Sequence, residues 1–177
     1  MIKINSKVID YDAKWLKVIK KNIEINSKTG DYYSVELFDY ITCITFTEDK
    51  KFVLVKQYRH AIESYSLEFP SGLLDTKETP EECAIKEVRE ETGLKVNKII
   101  SLGTYFADVG RLTNKVHYFF CLTNKSSEAK SEEEEISLEI ITPTELENKI
   151  NTGEFSFTMH IGAMTLLNNK IKDWKNL

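Results

Sequence analysis

Up to about residue 58 the chain mixes β-branched and aromatic residues with polar ones, broken by turn-forming clusters at 10–14, 26–31 and 48–51, which predicts antiparallel strands. Residues 15–25 alternate well enough for one strand, and the runs 40–46 and 52–58 flank a polar segment from Thr47 to Lys51, predicting a hairpin that feeds a central sheet. The period then changes. Thr79 is a helix N-cap, Pro80 the first helical residue, Glu82 the partner of a capping box and Gly93 the stop. Inside that helix Ala84, Ile85 and Val88 form an apolar stripe, with Lys86, Glu87, Glu90 and Glu91 facing elsewhere.

Strands follow at about 95–105 and 115–122, then a charged loop over 125–135 and a strand over 136–141. A second capping box, Thr142 to Glu145, opens a helix to about residue 151, and a last helix is predicted over 158–170 with Ile161, Met164, Leu166 and Leu167 in its pattern. The sum is an α+β fold: an α/β/α sandwich on a mixed central sheet, with the N-terminal strands extending it. Residues 1–40 are read as an antiparallel β extension, and 41–177 as the main domain.

Composition narrows the function. A chain of 177 residues with net charge −4 has no basic stripe, which disfavours nucleic acid as a partner and favours a small ligand neutralised locally. With only three prolines and seven glycines there is no room for a long linker. Cys43, Cys83 and Cys121 are too widely spaced for a disulfide ladder or a CxxC metal site, and are read as reduced packing residues. Neither a signal peptide nor a membrane span is visible, so a cytoplasmic protein without membrane attachment is expected.

The chemistry concentrates on the first helix. Glu87, Glu90 and Glu91 stand at i, i+3 and i+4, so their carboxylates share one face and repel by about a few tenths of a kcal/mol per pair. A hard divalent cation resolves that repulsion. Mg²⁺, for which Mn²⁺ could substitute, takes a few carboxylate oxygens together with waters and phosphates, as a short open ridge allows. Ahead of the helix, residues 72–75 form a loop after Leu67-Glu68-Phe69-Pro70, where backbone groups can come close to an ion and a diphosphate.

Gly72, Glu78, Glu87, Val88, Glu90, Glu91, Gly93 and Leu94 together resemble the Nudix box G-x5-E-x7-R-E-U-x-E-E-x-G-U, with Lys86 in place of its arginine. The preceding VKQYR and LEFPSGLLD segments are similar to the ADP-ribose/ADP-sugar pyrophosphatase branch of that family. The resemblance implies a hydrolase that cuts the pyrophosphate bond of a nucleoside diphosphate derivative. ADP-ribose is the first candidate; another NDP-sugar such as GDP-mannose, or a non-catalytic nucleotide sensor, are alternatives.

It also implies roles. Glu87, Glu90, Glu91 and the Ser71 carbonyl would hold metal, and Arg59, Glu68 and Gly72 would meet the diphosphate. Glu134 would be the base that activates water, with Glu132 and Glu135 as alternatives. Trp15 and Tyr32 fall where two aromatics from the subunits of a swapped homodimer sandwich the adenine, and Asp108 and Arg111 lie in a loop that lines the distal sugar. Leu37 stands where those relatives carry a further substrate-gripping arginine.

Overall fold

The computed structural model describes residues 1–74 and 77–177. Two compact units emerge: Met1–Asp39 with Tyr105–Val116, and Tyr40–Thr104 with His117–Leu177.

In the first unit β1 (Ile2–Asp12), β2 (Leu16–Ile25) and β3 (Lys28–Leu37) pair antiparallel as a sheet of their own. The sequence reading had them extend the central sheet. Instead their ladders are satisfied among themselves, and the β2–β3 turn is made by Asn26 and Ser27 at φ 50° and 62°. Segment 105–116 is tied to this unit through its backbone: Val35 N–H donates to the Arg111 carbonyl at 2.8 Å and Thr113 N–H to the Val35 carbonyl at 3.1 Å.

The second unit holds β4 (Tyr40–Thr47), β5 (Phe52–Arg59), β6 (Ser64–Glu68), β7 (Ser71–Leu73), α1 (Pro80–Thr92), β8 (Val96–Phe106), β9 (Lys115–Thr123), β10 (Ser137–Ile141), α2 (Pro143–Thr152) and α3 (Thr158–Lys170), with the far end of β8 and the start of β9 counted in the first unit. The sheet order among the described residues is β10-β5-β4-β9-β8, with β6 added to β5 and β7 to β4.

Every residue of β4 from Ile41 to Thr47 is buried, because helices cover both faces of the sheet. Ile41 and Cys43 point toward α1, packing with Cys83, Ala84, Val88, Phe119 and Cys121. Thr42 points the other way, to His160 of α3, and Phe46 meets Phe52 at 5.0 Å and Trp174 at 5.2 Å between ring centroids. Each fully buried phenylalanine contributes about 1.5–3 kcal/mol. The cysteines are free and buried, as expected of packing residues, and burial pushes the Cys43 thiol well up.

Candidate active site

α1 begins and ends where its caps dictate. The Thr79 hydroxyl accepts from Glu82 N–H and the Glu82 carboxylate accepts from Thr79 N–H, a reciprocal cap for which single partners contribute about 1 kcal/mol. At the other end Gly93 adopts φ 68°, and a Cβ there would lie 2.3 Å from the Lys130 carbonyl oxygen, so glycine is required twice over. That close approach lets the acidic loop dock: Lys130 N–H donates to the Thr92 carbonyl at 2.8 Å and Glu132 N–H to the Glu90 carbonyl at 3.0 Å.

The face α1 buries differs from the sequence reading at two positions. Cys83, Ala84, Val88, Glu91 and Thr92 are buried, whereas Ile85 is 43% exposed. Glu91 therefore lies on the core-facing stripe, 4% exposed, with Glu87 and Glu90 half-buried on its flank. What stops Glu91 from being an orphan is β7. Cys43 N–H donates to the Pro70 carbonyl, and Ile41 pairs with Gly72, so the intervening Thr42–Ser71 pair is not hydrogen-bonded across the strands. The Ser71 N–H and carbonyl are thus directed away from β4, and the N–H finds the Glu91 carboxylate at 2.9 Å. Gly72 faces the opposite way, toward α1, where a Cβ would stand 2.3 Å from the Glu87 carboxylate. Residues expected to be a loop after Ser71 begin as this short strand, and Asp75 lies outside the described residues.

Crowding and burial raise the affinity of this ridge for protons. Burial, then the Glu90 charge, lifts the Glu87 carboxyl to about 7; burial lifts Glu91 to about 8 despite the Ser71 N–H, with the Glu87 and Glu133 charges adding to the rise. Among the described residues no three acidic, imidazole or thiol side chains are gathered so as to hold a metal ion by themselves. A hard cation that keeps waters and phosphate oxygens in its shell needs only a few protein oxygens, and the open row of Glu87, Glu90 and Glu91 beside the outward-directed Ser71 carbonyl could supply them. Lys86, which replaces the arginine of the motif, reaches Glu78 by a single contact of 3.6 Å.

The sign of the pH dependence follows. Both carboxyls hold protons in the folded state that the unfolded chain releases near 4.5, so metal-free stability falls as pH rises from about 5 to about 8. The loss should be on the order of a few kcal/mol. Thermal unfolding in EDTA should show it, and Mg²⁺ should raise Tm more at pH 8 than at pH 5; equal Mg²⁺ shifts at both values would refute the ridge as the metal site.

Arg59, at the end of β5, donates from Nε and Nη2 to the two Glu68 oxygens at 2.8 and 2.6 Å, a bidentate fork. Burial alone would raise the Glu68 carboxyl; the arginine overrides it and holds it below the ordinary range. Glu68 is 1% exposed, while the Arg59 side chain keeps 38% of its surface open.

Of the acidic run, Glu134 is exposed, as are Glu132 and Glu135. The charge felt by both Glu87 and Glu91 is that of Glu133, which the sequence reading had not singled out. Tyr40 and His160 were also missed. Burial pushes the Tyr40 phenol to about 12, and it stays protonated.

In the first unit Trp15 is 58% exposed on a groove of about 220 Å³ that Leu37 and Phe38 also line. The Tyr32 hydroxyl donates to the Gly110 carbonyl, and the Arg111 guanidinium lies over the Tyr32 ring at 4.6 Å. Asp108 accepts from Gly110 N–H at 2.6 Å and also from Arg111 N–H, so its carboxylate shapes its own loop.

A profile of the NUDIX domain matches residues 37–160. The chain belongs to the Nudix hydrolase family. It is 26% identical over 145 residues to the ADP-ribose pyrophosphatase of Bacillus subtilis, covering 81% of this chain and 78% of that protein. It is 32% identical over 154 residues to the GDP-mannose pyrophosphatase of Citrobacter koseri, covering 77% of this chain and 80% of that one. The crystal structure of an ADP compounds hydrolase superposes with a TM-score of 0.81, covering 97% of this chain and 94% of the other at 18% identity, which shows the shared fold. These relatives put this Nudix hydrolase in the ADP-ribose and ADP-sugar pyrophosphatase branch. No helix among its described residues is long and apolar enough to cross a membrane.

Proposed function

We propose that this Nudix hydrolase cleaves ADP-ribose to AMP and ribose 5-phosphate in a Mg²⁺-dependent reaction. The observation that carries the reading is the half-buried Glu87 carboxyl beside Gly72 and the buried Glu91 carboxyl on the Ser71 N–H, both lifted by burial although the Lys86 and Arg59 charges oppose the rise. Bound Mg²⁺ would neutralise the diphosphate and lower the pKa of an attacking water. Glu87, Glu90, Glu91 and the Ser71 carbonyl would hold it. Arg59, oriented by Glu68, would present its exposed edge to a phosphate oxygen, and Gly72 leaves room for the ridge beside it. The proton of the water would pass to the acidic run, with Glu133 joining Glu134 as candidate acceptor.

Within the first unit, the exposed Trp15, over whose ring the Lys14 ammonium lies at 4.3 Å, would stack on a base with Tyr32 as its expected counterpart, and the Asp108–Arg111 loop would meet the distal sugar. All eleven residues of β1 are exposed, among them Ile2, Ile4, Val8, Ile9 and Tyr11, a surface suited to burial in a homodimer built on residues 1–40. Three reduced, buried thiols suit the cytoplasm.

A second reading, GDP-mannose as substrate, is favoured by the Citrobacter koseri relative and by Leu37 at the place of a substrate-gripping arginine. A panel of nucleoside diphosphate derivatives with Mg²⁺ or Mn²⁺, read by released phosphomonoester, decides between them. ADP-ribose should give the highest kcat/KM. ADP-ribose left intact while GDP-mannose is cut would replace the first substrate by the second.

A further inference from the structure

His160 of α3 is fully buried, and each of its ring nitrogens meets one end of the same tripeptide. Nδ1 accepts the Phe69 N–H at 3.0 Å. The proton of the neutral ring is therefore on Nε2, which lies 3.3 Å from Ser71 Oγ and 3.4 Å from Thr42 Oγ1. Ser71 Oγ in turn donates to the Phe69 carbonyl at 2.8 Å. The imidazole thus fastens both ends of the Phe69-Pro70-Ser71 step, whose middle residue has no N–H with which to anchor itself. Phe157 and Phe69 pack on the ring at 4.3 and 5.9 Å between centroids, leaving it little freedom to turn. The far end of this step is Ser71, whose N–H holds Glu91 and whose own carbonyl, in the next peptide, is directed away from β4 as well.

We infer that His160 is a positioning residue of the metal site, fixing from the opposite face of the sheet the direction of the Ser71 backbone toward the glutamate ridge. The inference rests on the reading of that ridge as a divalent-cation site. A histidine that merely fills the core would contribute to stability and leave metal affinity alone; a positioning histidine changes affinity through Ser71. Groups that orient metal ligands from behind typically govern affinity by about 10- to 100-fold.

The test measures Mn²⁺ binding to the full chain by the EPR signal of free Mn²⁺, with urea unfolding in parallel. His160→Asn keeps an acceptor near the Nδ1 position for the Phe69 N–H, so the fold should survive, but it loses the reach to Ser71 Oγ; its Mn²⁺ Kd should rise about tenfold or more. His160→Phe loses both bonds and should weaken binding further. Should the phenylalanine variant fail to fold, the asparagine variant decides. Thr42→Val removes the other neighbour of Nε2 without touching the tripeptide, and should bind Mn²⁺ like the wild type. Hydrogen exchange of the Ser71 amide should quicken in His160→Asn and not in Thr42→Val. Wild-type Mn²⁺ affinity in a folded His160→Asn protein overturns the role of His160 and leaves the enzyme intact. Absence of Mn²⁺ binding by the wild type itself overturns both.

Discussion

Glu91→Gln is expected to lower kcat for the diphosphate substrate by about a thousandfold, while the protein stays folded. The amide keeps the volume of the side chain and still offers an oxygen to the Ser71 N–H, now at 2.9 Å from the carboxylate. What it removes is the negative charge. Stabilisation of transition-state charge by a bound cation amounts to several kcal/mol, and each 1.36 kcal/mol is about a factor of ten in rate. The same change relieves a buried carboxyl that must otherwise give up its proton near pH 8, so metal-free stability at that pH should rise. Steady-state kinetics with saturating Mg²⁺ and a urea titration in EDTA measure the two effects. Activity above a tenth of the wild type would remove Glu91 from the catalytic machinery, and a wild type without turnover whose ligand affinity survives Glu91→Gln would mark a sensor.

Arg59→Ala is expected to cost about 3 kcal/mol of stability near pH 8, because truncating one partner leaves the other charge buried and unpaired. Glu68 is that partner, 1% exposed and held by both oxygens. In the wild type its carboxyl is below the ordinary range, so the pair stabilises the fold above about pH 4.5 and is lost as pH falls. In the variant burial acts unopposed, the carboxyl rises, and Glu68 takes a proton to remain folded. The deficit should therefore shrink toward pH 4 and grow toward pH 8. Adding Glu68→Gln to Arg59→Ala should restore much of the loss at pH 8, a coupling a double-mutant cycle reads directly. A deficit that is constant from pH 4 to pH 8 would assign it to lost packing of the arginine stem. Because the same guanidinium is proposed to meet the diphosphate, KM should rise in both variants.

Spacing and hydrophobicity give different answers on one face of α1. Glu91 stands three residues after Val88 and seven after Ala84, so the period that buries those two also buries it, while the apolar Ile85 falls off that period and is exposed. The acidic run gave no such handle. Four consecutive glutamates are equivalent by composition, and only the docking of residues 130 and 132 on the end of α1 brings the Glu133 charge to the ridge.

By itself, the sequence determined the elements whose causes are local: the two capping boxes, the Gly93 stop, the carboxylates at i, i+3 and i+4, and the spacing that identifies the family. Those features rest on hydrogen bonds and steric preferences spanning at most a few residues, so a linear string contains them. Tertiary structure decided what depends on distant segments. The Arg59–Glu68 fork crosses a hairpin, Glu91 is held by the Ser71 N–H twenty residues upstream, and His160 reaches Phe69 across 91 positions of sequence. A hydrogen bond of that span is set by how two faces of one sheet are covered, and no periodicity in either segment announces it.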